Sequence, residues 1–507
     1  MTTSHADLPV IVDRDATSSL AAQISGQVRL AVTTGLLGSG ERLPSTRDLA
    51  AMVGVSRTVV TTAYAQLFAE GWLEGRHGSG TYVADVAPGS PPARPAARAA
   101  APVAARAAAQ QVAGAAGLIG RVGTADGAAS AIGSAADAAE PADLIELLPG
   151  IPWAGGIEPA VWRRAWRSAG TQPPSSWPDP HGLPGLRTEL TGYLRRSRGL
   201  SVTQAQVLVT RGVAGGLTLL AAALVRPGDK VGVEEPGYPA AREVLRRAGA
   251  RVVPCRVDAH GIMPDELPGD LRLLYTTPAH QYPLGGRLPV GRRQALTSWA
   301  RATGALVVED DYDSEFRYDV GPLPALYSMD PDVIVYLGTG SKTLTPAFGA
   351  GWLVAKPDLV ERLAQLRVEL GERVPEPVQH ALLAMLTSGD LERHVRRMRL
   401  EYARRRAALV NGIGAAHATG HDLAAPGTFR LLGDTAGMHV VLELPADRQA
   451  DHLVAAAASR GVAIATLDRY YAGTPTLNGV ILGYGTSTLT KVTRAATELR
   501  ALLPRAG

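Results

Sequence analysis

The stretch Val333-Ile334-Val335-Tyr336-Leu337-Gly338-Thr339-Gly340-Ser341-Lys342-Thr343-Leu344-Thr345-Pro346 joins an apolar, β-branched run to a turn of small hydroxyl residues. The run reads as a short buried strand. A lysine just beyond such a strand is out of place on an ordinary solvated face and suits Schiff-base chemistry with an aldehyde. Ser-Lys in a loop is common, so the meaning of Lys342 depends on what the neighbouring strands carry.

Working outward, strands alternate with helices from Leu144 onward. The runs Val207–Thr210, Lys230–Glu234, Arg251–Pro254, Leu271–Thr276 and Leu306–Glu309 precede Val333–Leu337, and an apolar helix is expected over Leu217–Val225. That alternation predicts an α/β domain with a doubly wound, mainly parallel sheet and a smaller C-terminal α/β subdomain. Ligands of such sheets lie at the carboxyl ends of the strands.

Those strand ends carry chemistry. Gly212-Val213-Ala214 opens a helix whose free N–H groups suit a phosphate. Tyr238, in Glu234-Glu235-Pro236-Gly237-Tyr238-Pro239, offers a flat platform for a ring. Glu309-Asp310-Asp311-Tyr312 places three carboxylates together, which is costly unless one meets a cation. A protonated pyridine nitrogen held by Asp310 would serve, with Tyr312 reaching the ring hydroxyl. Lys342 supplies the amine, and Thr339 and Ser341 stand close enough to help hold phosphate. In this order, on successive strand ends, the set describes one site for pyridoxal phosphate (PLP).

Residues 85–142 change character: alanine, proline, glycine and isolated arginines dominate, as in a flexible linker. As a coil its mean span is roughly 40 Å. Upstream, over 10–84, Leu20, Ile24, Val28 and Val32 form the apolar stripe of a first helix. Ser45 caps a short second helix with Asp48 as its box partner, and Ser56 caps a third over Arg57–Glu70. Val59, Val60, Ala63, Leu67 and Phe68 are expected to face its core. Helix, tight glycine turn, helix is the helix-turn-helix spacing, and Glu74–Val83 reads as a two-stranded wing. Arg57 and Thr58 can face a major groove, and His77 with the backbone around Gly78 can reach the minor groove or phosphates.

The whole chain has 507 residues, 46% apolar and 19% charged, too long for one core and ordinary for a soluble protein. A single cysteine, Cys255, excludes an intramolecular disulfide framework and cannot alone hold zinc. No signal peptide or membrane span is legible, so a cytoplasmic protein without a membrane partner is expected. Net charge is +4, yet residues 1–85 carry six arginines against eight acidic residues, a net of −2. DNA affinity there must come from charge placement.

LPSTRDLA, GVSRTVV, GWLE and GSGTYV, within about residues 10–83, resemble the winged helix of GntR-type bacterial regulators. The resemblance implies DNA contacts from Arg47, Arg57, Thr58 and His77. Ser56, Thr61 and Gly78, beside these positions, are counted among the DNA-binding residues too. Thr61 stands where some members carry a further arginine. LLPGIPW, DPHGLPGLR, EEPGYP, TPAHQYPLG, EDDYDSEFRYD, GTGSKTLTP and RHVRRMRLEYARRR resemble fold-type I aminotransferases and, with the winged helix and linker, the MocR subfamily of regulators.

The domains implied are a DNA-binding winged helix over 10–84, a linker over 85–142 and a PLP-binding, aminotransferase-like effector domain over 143–507. By that resemblance Lys342 is the Schiff-base lysine, Asp310 the pyridine-nitrogen partner, Tyr312 the ring-hydroxyl partner and Tyr238 the stacking ring. A homodimer reading paired half-sites in operator DNA, and a small effector such as PLP or an amine, are implied too.

Two positions depart from the pattern. Gly349 stands where the family carries an arginine for the cofactor phosphate, and Ile481 where aminotransferases carry one for the substrate carboxylate. A full transamination cycle is therefore not expected. Two alternatives stay open: a working aminotransferase with an accessory DNA-binding domain, and a regulator whose C-terminal domain is a cofactor-free dimerisation module.

Overall fold

A computed structural model describes residues 10–16, 18–76, 80–86, 144–321, 323–414, 416–417 and 429–503. From residue 87 on, the stretch read as a linker lies outside the described residues, as do His77 and Gly78. The chain divides into two compact units.

The N-terminal unit begins with helices α1 (Leu20–Thr33), α2 (Thr46–Val53) and α3 (Arg57–Glu70), followed by antiparallel strands β1 (Leu73–Arg76) and β2 (Gly80–Val83). Ser45 Oγ accepts from the Asp48 N–H at 3.2 Å, and Gly54, at φ +70°, closes α2 in the left-handed conformation that glycine adopts without a Cβ penalty. Ile24, Val28, Leu49, Val60 and Leu67 are fully buried, each worth about 1.5–3 kcal/mol.

Three expectations change here. Ser56 precedes α3 but makes no capping bond with its side chain. Val59 is only partly buried and Phe68 is 38% exposed, at the edge of the stripe that Val60, Ala63 and Leu67 define. Tyr64 takes the core place instead, its hydroxyl donating to Pro44 O at 2.9 Å.

The second unit is α/β. After β3 (Ile145–Glu146) come β4 (Val207–Thr210), β5 (Lys230–Glu235), β6 (Arg251–Asp258), β7 (Gly261–Ile262), β8 (Leu273–Thr276), β9 (Leu306–Asp311), β10 (Ile334–Thr339) and β11 (Gly351–Val354). The large sheet has the order β4-β11-β10-β9-β8-β5-β6-β7. β10, β9, β8, β5 and β6 pair in parallel, whereas β11 runs antiparallel to both its neighbours and β7 antiparallel to β6. β4 thus shares the common direction. β4, β8, β10 and β11 are buried at every position, as strands covered on both faces must be. The apolar helix after β4 starts at Gly212, earlier than the apolar run suggested, and extends to Leu224.

The smaller C-terminal sheet contains β12 (Ala416–His417), β13 (Arg430–Leu432), β14 (His439–Glu443), β16 (Ala465–Thr466) and β17 (Gly479–Gly483), in the order β12-β13-β14-β17-β16. β15 (Val462–Ala463) pairs in parallel with β3. The long helix Asp390–Ile413 packs beside Leu489–Leu502 and gives Met398, Tyr402, Leu409 and Ile413 to the core of this subdomain. Among the described residues, no helix is long and apolar enough to cross a membrane.

Candidate functional site

Because β4, β5, β8, β9 and β10 share one direction, the residues that follow them gather at one edge of the sheet. Lys342 sits in the turn after β10, and its Nζ donates to Gly150 O at 2.6 Å. Gly150 has φ +81°, and a Cβ there would meet Lys342 Nζ at 3.5 Å and the Tyr282 hydroxyl at 3.8 Å. The positive φ favours glycine here, and both groups lie at van der Waals distance from where a Cβ would stand.

The three consecutive carboxylates split by strand alternation. Glu309 accepts the Leu326 and Tyr327 N–H groups at 2.8 and 2.9 Å. Asp311 pairs with Arg198, which is fully buried, and accepts from the Tyr336 hydroxyl at 2.7 Å. The cation that offsets the cluster is therefore Arg198, meeting Asp311. The cluster thus has a protein cation of its own, at Asp311 rather than at Asp310.

Asp310 lies on the opposite face of β9. Its Oδ2 accepts from the Tyr275 hydroxyl, and its buried Oδ1 has no hydrogen-bond partner. Burial pushes the Asp310 carboxyl up to about 7, helped by Asp311 and opposed by the Tyr275 bond and by Lys342. A buried acceptor with one oxygen unmet awaits a donor.

Tyr312 is buried, and its hydroxyl lies 2.9 Å from His280 Nδ1, which also approaches Asp313 at 3.0 Å. Tyr312 thus has a protein partner, His280. Tyr238 is partly buried and meets the Tyr282 ring edge-on, with centroids 5.9 Å apart.

Tyr282, to which the sequence motif assigns no role, is the hub. Its ring contacts Tyr238, Tyr312, His439 and Tyr470 at centroid distances of 5.9, 5.5, 5.4 and 5.3 Å. An aromatic before Pro283 in the loop after β8 was the available signal. Glu234 was likewise missed: buried at the end of β5, it accepts from Thr277 Oγ1 at 2.6 Å and Gln281 Nε2 at 3.1 Å, fixing the loop that carries Tyr282. Burial raises its pKa.

The phosphate candidates also meet. A Cβ at Gly212, whose φ is +75°, would lie 3.5 Å from Thr339 Oγ1 and 3.7 Å from Ser341 Oγ. The helix start at Gly212 therefore adjoins both hydroxyls, with buried Val213 and half-buried Ala214 next along the helix. Thr339 Oγ1 accepts the Ser341 N–H at 3.1 Å. Gly349 caps the short turn Pro346–Phe348 at φ +60°, with open space where its Cβ would stand.

Ile481 is fully buried in β17. Val480 and Leu482 belong to the subdomain core, so Ile481 faces the other way, beside Val441 of β14 and on the side from which His439 touches Tyr282 and His280. Ile481 and Val441 themselves offer only apolar surface to that side. Burial and the neighbouring His280 push the His439 imidazole down to about 4, so that ring is neutral near pH 7.

The donor set suits PLP: an amine for an aldehyde, an unmet buried acceptor for a ring N–H, aromatic rings, and a helix start with two hydroxyls for phosphate. In the N-terminal unit, Arg47, Ser56, Arg57, Thr58 and Thr61 are all exposed. Arg57 Nε donates to Thr46 Oγ1 at 3.3 Å, and Thr61 Oγ1 donates back to Arg57 O at 2.9 Å. Arg47 lies in the first turn of α2, and Ser56, Arg57, Thr58 and Thr61 lie at the start of α3.

Residues 154–476 match the family of class I and II aminotransferases, and residues 20–83 match the gntR family of bacterial regulatory proteins. The chain is 37% identical over 481 residues to the HTH-type pyridoxine biosynthesis transcriptional regulator PdxR of Corynebacterium glutamicum, covering 95% of each protein. It is 32% identical to the regulatory protein MocR of Rhizobium meliloti, covering 94% of this chain and 92% of that one. Among solved structures, an archaeal alanine:glyoxylate aminotransferase superposes with a TM-score of 0.68 at 24% identity, over 77% of this chain and 97% of its own. That likeness concerns the fold.

Proposed function

Because the chain belongs to the MocR-type transcriptional regulators, in which a GntR helix-turn-helix is joined to a class I and II aminotransferase domain, we propose that it is a PLP sensor. In this reading Lys342 captures the aldehyde, Asp310 Oδ1 accepts from the ring nitrogen, Tyr312 faces the ring hydroxyl and Tyr238 covers the ring. Gly212, Val213, Ala214, Thr339 and Ser341 hold the phosphate. PLP when bound supplies an electrophilic aldehyde; the chain supplies the amine, the orientation and the exclusion of water.

The observation that carries the choice of effector is Ile481. An amino acid entering the pocket brings a carboxylate, and a buried carboxylate facing Ile481 and Val441 has no cation to meet. PLP itself brings no such group to that wall. The Corynebacterium relative, named as a regulator of pyridoxine biosynthesis, supports PLP as the signal and genes of its supply as targets. Arg47, Ser56, Arg57, Thr58 and Thr61, with His77 and Gly78, read operator DNA, and a cytoplasmic homodimer presents two such surfaces to paired half-sites.

The test is chemical. The purified chain is incubated with PLP, reduced with borohydride and digested. A mass addition on the Lys342 peptide is expected, with no sustained turnover when an amino donor and a keto acid are supplied. Absence of the adduct at saturating PLP would remove the cofactor reading, and multiple turnovers would favour a working aminotransferase.

A further inference from the structure

Lys342 is held from two sides, and both routes lead to one helix. On one side its Nζ donates to Gly150 O at 2.6 Å. On the other, the carbonyl of the next residue, Thr343, accepts from His394 Nε2 at 2.9 Å. His394 is buried in the helix Asp390–Ile413, and burial with the neighbouring Arg397 pushes it down to about 4. The ring is neutral near pH 7. With Nε2 donating to Thr343, Nδ1 is the acceptor and takes an N–H from Arg397 Nη2 at 3.3 Å. The same Nη2 donates to Gly156 O at 2.9 Å.

The circuit closes through the segment from Gly150 to Gly156. The helix grips that segment twice more: the Trp153 N–H donates to the Tyr402 hydroxyl at 2.8 Å, and the Arg405 guanidinium lies 4.4 Å from the Trp153 ring centroid. A Cβ on Gly156 would stand 2.5 Å from Met398 Sδ, so segment and helix are in close contact. Further along, Leu409 and Ile413 are anchored in the C-terminal subdomain.

We propose that His394 and Arg397 are positioning residues through which the helix Asp390–Ile413 reads whether Lys342 is a free amine or has captured an aldehyde. This rests on the reading of Lys342 as the capturing amine. On capture, the neutral amine gives up two hydrogens, which leave with the carbonyl oxygen as water while one C=N bond forms. Protonation then leaves one N–H on Nζ. That hydrogen lies in the plane of the new bond, and the Gly150 carbonyl loses its freely rotating donor. The Gly150–Gly156 segment is then held through Arg397, Tyr402 and Arg405, and the helix moves with it.

The test uses the full chain, with hydrogen–deuterium exchange read on peptides covering 148–156 and 390–402, with and without PLP, beside the borohydride-fixed adduct on Lys342. In the wild type, PLP changes exchange in both peptides. His394→Leu and Arg397→Met still form the Lys342 adduct, but the PLP-dependent change over 390–402 falls about fivefold, the equilibrium effect of losing one hydrogen bond. His394→Gln, which keeps a donor for Thr343 O, restores it. Arg397 is exposed, so its replacement leaves the core intact and answers the question even where His394→Leu does not fold. Adduct formation with an undiminished helix response in Arg397→Met would overturn the proposal. Loss of the adduct in the wild type itself would instead remove the PLP reading on which it rests.

Discussion

Around Lys342, polar groups crowd a buried space: Asp310 with an unmet oxygen, Tyr312 against His280, and two hydroxyls beside Gly212. Ile481 and Val441, paired across β17 and β14 on the buried face that also carries His439, offer nothing to a charge. Phosphate and ring can be recognised at the first end. The second end lacks the arginine that aminotransferases place there. Capture can therefore survive where turnover does not, since holding an aldehyde and orienting a substrate carboxylate depend on separate residues. Under the proposed reading, the contrast separates the residues for capture from those for turnover.

The contrast can be broken most severely at Lys342. Lys342→Ala should abolish the borohydride-fixed PLP adduct completely, read by peptide mass. An adduct that moves to another lysine would place the capturing end elsewhere.

Asp310→Asn comes next. Losing a charge-assisted bond to the ring nitrogen should weaken PLP binding by roughly 10–100-fold in a titration. A pH effect sharpens this. The folded-state pKa of Asp310, about 7, lies above its ordinary 3.8. Between those values the folded chain holds a proton that the unfolded chain has released, so stability falls as pH rises through that window. Without PLP, Asp310→Asn should raise Tm relative to wild type at pH 8 and leave it near the wild-type value at pH 4. The ceiling on this gain is about 4 kcal/mol, at roughly 1.4 kcal/mol per pH unit. An equal shift at both pH values would contradict the burial argument.

Gly212→Val should weaken PLP by about tenfold and cost roughly 1–2 kcal/mol of stability, because a branched side chain at positive φ enters the space beside Thr339 and Ser341. The smallest effect is a gain. Gly349→Arg adds a guanidinium where open space exists, at about 1 kcal/mol of backbone strain, and should tighten PLP a few-fold. Weaker binding would show that the phosphate lies elsewhere.

Much of this was legible in the sequence because strand order and motif order coincide. Apolar runs bounded by glycine and proline fixed β4, β5, β8, β9 and β10, and the residues after them had to share an edge once those strands were parallel. β11 was missed, since Gly351–Val354 is too short to announce its direction and only its pairing with β4 and β10 reveals it. Arg198 could not be foreseen as the partner of Asp311, because more than a hundred residues separate them and neither stands in a spacing motif. Tyr282 and His394 were visible as letters within motifs, but their roles depend on which carbonyl or ring they touch. In the N-terminal unit, helical period placed Val60 and Leu67 inside, but helix-to-helix contact chose Tyr64 over Phe68.

The central claim, that this chain converts capture of PLP at Lys342 into a change in DNA binding, is tested most directly by one titration. The affinity of the full chain for the DNA upstream of its own gene is measured by fluorescence anisotropy at fixed salt while PLP is raised, with wild type beside Lys342→Ala. The account predicts that PLP shifts the wild-type affinity and leaves Lys342→Ala unmoved. A PLP response of equal size in both proteins, or none in the wild type, would contradict it.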